Sequence, residues 1–115
     1  IMSTSLDVMT ETNFNKFMHT YEDVDNPIDL MNELTQHYTN FSGNIGRLYD
    51  VISEGDFIQN GFATEYDFSI YRLMKKDILD IVNASDNLEL VKKWETIMES
   101  FEYYEPTENL YFIVG

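Results

Sequence analysis

Two histidines and a dense run of carboxylates are the residues of this chain whose types could do chemistry. His19 and His37 are its only imidazoles, and they lie on different expected helices. Neither sits in the H-E-x-x-H spacing that turns two imidazoles toward one metal from one helical face. Isolated histidines beside aromatic and aliphatic residues, as in Phe17-Met18-His19 and His37-Tyr38, are far more often structural or exposed than catalytic. The acids Glu22, Asp23, Asp25, Asp29 and Glu33 invite a calcium reading. An EF-hand loop opening at Asp23 needs glycine at its sixth place and a bidentate glutamate at its twelfth. Ile28 and Leu34 stand there instead, and Pro27 falls on a ligand position, so that form of coordination is excluded.

Other chemistries fail for want of parts. With no cysteine there is no thiol nucleophile, thiolate metal site or disulfide, which fits a reducing compartment and a cytoplasmic setting. No serine occupies a G-x-S-x-G elbow, and the glycines form no phosphate-cradling loop followed by Lys-Ser/Thr. The expectation is therefore a non-enzyme without metal or cofactor.

Charge is the strongest remaining signal. The 115 residues carry 21 acids against seven Lys and Arg, a formal net charge of −14. Twelve of the acids but two of the bases precede Tyr71, and no Lys or Arg occurs between Lys16 and Arg47. Glu95, Glu99 and Glu102 follow one another at helical spacing. Such a surface repels nucleic acid and anionic membrane and attracts basic proteins, although solubility alone is a sufficient use for it. Lys75-Lys76 and Lys92-Lys93 lie among Asp77, Asp80, Glu89 and Glu95, which predicts a local salt-bridge belt of small energetic value. No run of eighteen apolar residues is present to span a bilayer, and Ile1 to Thr10 lack the basic and apolar blocks of a signal peptide.

The elements that must position these acids read as helices. Thr10 caps a first helix over 11–22 with Phe14, Phe17, Met18 and Tyr21 inward, and residues 1–10 form an unordered lead-in. Asn26-Pro27 starts a second, carried by Ile28, Met31, Leu34, Tyr38 and Phe41. A third short helix runs from Ile45 to Ile52, with Gly55 closing it. Residues 56–63 read as a loop whose aromatics plug the core, with a miniature hairpin about Asn60-Gly61 as the competing form. From Thr64 to Phe101 two helices are expected, the first carried by Phe68, Tyr71, Met74, Ile78 and Ile81, the second capped at Ser85 or Asp86 and carried by Leu90, Trp94, Ile97, Met98 and Phe101. The fold class this predicts is all-α, a compact bundle of about five short helices with a C-terminal helical hairpin. One acidic domain spans 1–106. Glu108-Asn109-Leu110-Tyr111-Phe112 resembles the first five residues of a viral protease site used in expression tags, with Ile113 where that site has glutamine, so 107–115 reads as a tail or tag remnant, with a native short strand as the competing form.

An acid per helical turn places a charge every ~5.4 Å. Duplex DNA shows one per ~1.7 Å of axis, so about three such helices side by side match it. Small, acidic, cysteine-free, aromatic-rich helical chains resemble the phage antirestriction proteins that mimic DNA, the overcome-classical-restriction type. Leu48-Tyr49-Asp50-Val51-Ile52-Ser53-Glu54-Gly55 looks like a helix end running into Ser-Glu-Gly in that family. The resemblance implies an inhibitor of a host restriction or other defence enzyme. The candidate phosphate-mimicking carboxylates are Glu22, Asp23, Asp25, Asp29, Glu33, Asp50, Glu54, Glu95, Glu99 and Glu102. The expected partner is a basic DNA- or RNA-binding host protein, with no direct contact to nucleic acid or membrane. Two further readings compete: a binding module of the immunity or anti-defence kind with an aromatic hot spot at Phe62, Tyr103 and Tyr104, and an assembly subunit or homodimer that docks through Phe57 to Phe62.

Overall fold

A five-stranded antiparallel sheet organises the chain. The computed structural model describes residues 6–38, 51–60 and 69–114. Within them the order is β1 (Leu6–Thr10), α1 (Glu11–Thr20), a 3-10 turn at Tyr21–Asp23, α2 (Pro27–Leu34), β2 (Gln36–Tyr38), β3 (Asp56–Asn60), β4 (Ser69–Met74), α3 (Lys75–Asn83), α4 (Leu88–Glu99) and β5 (Asn109–Val114). Across the sheet the strands run β2-β1-β5-β4-β3.

This corrects the all-α reading: the protein mixes helix and sheet. The correction is sharpest at β5, the segment set aside as a tail. Leu-Tyr-Phe-Ile-Val is a run of aromatic and β-branched residues, the composition that fits a pleated, buried surface. It forms the central strand, pairing with β1 through Leu6↔Val114, Val8↔Phe112 and Thr10↔Leu110, and with β4 through Ile70↔Ile113 and Leu73↔Leu110.

Because strand side chains alternate between faces, β5 supplies two separate cores. Leu110 and Phe112 join Leu6, Val8 and Leu73 beneath Ile78 and Val82 of α3 and Trp94, Ile97 and Met98 of α4. Tyr111 and Ile113 join Met9 and Ile70 on the opposite face beneath Phe14 and Phe17 of α1 and Met31 of α2. The sheet is thus covered on both sides, helices α1 and α2 on one and α3 and α4 on the other. Ring contacts fix each layer. Trp94 meets Phe112 edge-on at 5.6 Å and 73°, and Phe14 stacks on Tyr111 at 3.9 Å and 20°. Such pairs contribute roughly 0.5–1.5 kcal/mol beyond the area they bury.

Several expected boundaries hold for the reasons that predicted them. Thr10 Oγ1 accepts from the Asn13 amide at 3.2 Å, so the last residue of β1 caps α1. Asn26 Oδ1 accepts from the amides of Ile28 and Asp29, and Pro27 begins α2. The cap of α4 falls one residue beyond the expected pair: Asn87 Oδ1 accepts from Leu90, while Ser85 Oγ accepts from Asn87.

Other expectations fail. The expected lead-in contains β1, whose Leu6, Val8 and Met9 are buried. The second helix ends at Leu34, and residues 36–38 pair with β1 as a strand. Residues 69–74 of the first helix expected in the C-terminal hairpin are β4, not helix, so that helix starts at Lys75. Residues 56–60 form a strand in place of a loop, paired with β4 through Asp56↔Arg72, Phe57↔Tyr71 and Asn60↔Ser69, with a register shift between Phe57 and Gln59. The expected positions Phe41, Ile45, Asp50, Phe62 and Thr64 lie outside the described residues.

Gly55 is required where it stands. A side-chain carbon there would lie 2.5 Å from the Arg72 carbonyl oxygen and from the Leu73 side chain, so only glycine lets this turn close onto β4.

Candidate protein-binding surface

Nine of the ten candidate carboxylates lie among the described residues, and all nine are exposed. The fold divides them. Glu22 and Asp23 sit in the 3-10 turn, Asp25 in the connection that follows, and Asp29 and Glu33 on α2. Glu95 and Glu99 sit on α4, on the other side of the sheet, with Glu102 in the turn after it. Glu54 precedes β3, and Asp50 lies outside the described residues.

Local sequence explains why the first group faces outward. In α2, Met31 is buried and Ile28 and Leu34 pack against the same core, which leaves Asp29 and Glu33 stacked one turn apart on the outer side. Two like charges at that spacing cost a few tenths of a kcal/mol. Asp29 recovers part of this in the first helical turn, where a carboxylate favours the exposed amides. Tyr21 donates from its hydroxyl to Glu22 Oε1 at 3.2 Å, and desolvation, followed by that bond and the Glu22 charge, raises the Tyr21 pKa above its ordinary value. No ion pair involving these five acids is found among the described residues. On α4 the pair Glu95 and Glu99 repeats the one-turn spacing on an exposed face, opposite the buried Trp94, Ile97 and Met98.

The basic side chains follow backbone needs as much as acids. Lys75 Nζ, expected in the charged belt, donates to the carbonyl oxygens of Glu102 at 3.2 Å and Tyr104 at 2.9 Å, which fastens the loop that leads to β5. The amides of Lys75 and Lys76 donate to the carbonyls of Glu108 and Pro106, joining α3 to the same loop. Arg72 reaches its cross-strand neighbour Asp56 at 3.1 Å, and the bonds to Asp56 and Tyr111 hold its guanidinium pKa above the usual value. His37 Nδ1 lies 2.6 Å from Asp7 Oδ1, again a cross-strand pair. His19 is exposed on the last turn of α1.

One feature escaped the sequence altogether. A cleft of about 350 Å³ opens where the end of β4 meets β3, β5 and α3. Glu54, Asp56, Asp77 and Asp80 line it, with Arg72 the one cation on its wall among the described residues. Its residues come from four elements, and three of these, β3, β4 and β5, read in the sequence as loop, helix and tail. Among the described residues no three His, Asp or Glu side chains are grouped to hold a metal ion, and no helix is long and apolar enough to cross a membrane. Of the expected aromatic hot spot, Tyr103 is 92% exposed, while Tyr104 is half-buried against Phe101 and Phe62 lies outside the described residues.

Compared with known protein families, curated proteins and solved structures, the chain matches none.

Proposed function

We propose that this chain is a non-catalytic acidic inhibitor that occupies the nucleic-acid-binding surface of a basic host protein. The observation that supports it is the exposed, unneutralised run Glu22, Asp23, Asp25, Asp29 and Glu33 across one helix junction. Each carboxylate replaces a phosphate opposite a Lys or Arg of the partner, in a charge-assisted contact. The acids of α4 lie on the other layer of the sheet, so they cannot line the same contact face and act as long-range attraction instead. The mimicry is therefore of a single phosphate row, not of a whole duplex.

The test is capture from host lysate by the intact protein and by the triple variant Asp25→Lys, Asp29→Lys, Glu33→Lys. The expected result is a basic nucleic-acid-binding protein that is released by duplex or single-stranded competitor and by raised salt, and that the triple variant fails to retain. A captured partner insensitive to all three refutes the proposal. The exposed Tyr103 favours a second reading, a module that binds through an aromatic anchor. That reading is selected if Tyr103→Ala abolishes capture while the triple variant preserves it.

A further inference from the structure

The sheet has a strand edge that no described element covers. β3 is the outermost strand on the β4 side, and Phe57 on it is 53% exposed although its ring edge rests on Tyr71 at 5.6 Å. Strand edges of this kind are templates for a further strand, and proteins usually blunt them. Here the blunting is partial: a register shift interrupts β3 between Phe57 and Gln59, with regular pairing to β4 on either side of it, and Asp56 and Phe57 form one end. That end opens into the cleft between β4 and α3, where four carboxylates face one guanidinium. Arg72 is already bonded to Asp56, and Lys75 at the start of α3 is directed to the carbonyls of Glu102 and Tyr104.

From this we infer that the β3 edge receives an extended basic segment of the partner protein, with one Arg or Lys side chain seated in the cleft against Asp77 and Asp80 and an apolar side chain, two residues along on the same face, on Phe57. Strand addition provides main-chain hydrogen bonds, and the alternation of a strand puts residues two apart on one face; Phe57 pairs with Tyr71, whose ring packs in the same layer as α3, so one face of the added strand meets both Phe57 and the acids of α3. Charge decides the occupant. A second copy of this chain brings another net charge of −14 to an edge that already carries Asp56, which opposes self-pairing. A basic segment meets complementary charge. The inference rests on the reading that the partner is basic, and it assigns the partner a second contact away from Glu22–Glu33.

The probe is a synthetic nine-residue peptide, Thr-Arg-Thr-Val-Thr-Arg-Thr-Val-Thr, which presents arginine and valine in turn on one face, titrated at low salt into the isotopically labelled protein. Amide shift changes are expected at Asp56, Phe57, Asp77 and Asp80. Asp77→Asn with Asp80→Asn should weaken binding about fivefold, the size expected for two exposed charge contacts. Glu95→Gln with Glu99→Gln removes the same charge elsewhere and should change affinity less than twofold; Phe57→Ala should weaken it several-fold. The same spectra report whether each variant is folded. Equal losses in the two charge pairs, or shifts confined to Glu22–Glu33, overturn this inference and leave the acidic-inhibitor reading standing. A dimer that Phe57→Ala dissociates also overturns it, in favour of a second copy on the edge. No binding at any site overturns the inference and removes the electrostatic basis of the inhibitor reading with it.

Discussion

Replacing Phe112 with alanine tests the placement of β5 directly. Phe112 is 0% exposed, sits on the central strand between β1 and β4, and meets Trp94 edge-on. Truncating a buried phenylalanine costs roughly 3–5 kcal/mol, transfer and cavity terms together. The lost ring contact places Phe112→Ala toward the upper part of that range. A domain of this size has about 6–17 kcal/mol in total at ~0.05–0.15 kcal/mol per residue. The change therefore removes a large fraction of the stability and lowers Tm by roughly 12–20 °C. Trp94, the single tryptophan and fully buried, provides the fluorescence signal for urea and thermal unfolding. Tyr103→Ala, at an exposed ring, is the control and should stay within about 0.5 kcal/mol. If Phe112→Ala costs less than about 1 kcal/mol, residues 109–114 are an appendage and the sheet as described is wrong.

Gly55→Ala places a methyl against backbone and should destabilise by about 1–3 kcal/mol through the forced shift of β4, read as a lower urea midpoint at unchanged slope. Burial raises the Tyr38 phenol pKa above its ordinary 10.0, against an opposing hydrogen bond from Ser100. As pH climbs, the unfolded chain then ionises first, so the contribution is complete below about pH 10 and is lost from there upward through the folded-state pKa. Tyr38→Phe should flatten the alkaline decline of stability between about pH 9 and 11 relative to the parent, and an identical decline in both proteins refutes the burial argument.

What the sequence revealed and what it hid have a common physical origin. Caps are local: Thr10 and Asn26 act on amides two or three residues away, so α1 and the start of α2 were legible. The amphipathic stripe of α4 was legible because one side of it meets water. The strands were not, because β4 and β5 are covered on both faces. Strands in that position show continuous apolar runs without polar alternation, and such runs do not separate strand from helix by period. Tyr71, Met74, Ile78 and Ile81 fit a helical spacing across a boundary where the chain passes from β4 into α3. In β5 a likeness to a protease site competes with the strand signal of Leu110 to Ile113, four residues that are all buried. The candidate acids were legible as exposed side chains. Their division between two sides of a sheet was not, since no local pattern encodes which layer a helix joins. The cleft was invisible for the same reason.

The strand order has a consequence for biosynthesis. β5 leaves the ribosome after the other four described strands, yet it lies between the first and the fourth. Until it emerges, β1 and β4 have no partner on their inner flanks, and neither hydrophobic layer has its middle row. Nascent chains must therefore wait, held off from one another by their own negative charge, for a closing step of high contact order. Ribosome-bound intermediates of this protein should accordingly be sensitive to protease along nearly their whole length, and acquire resistance in one late step.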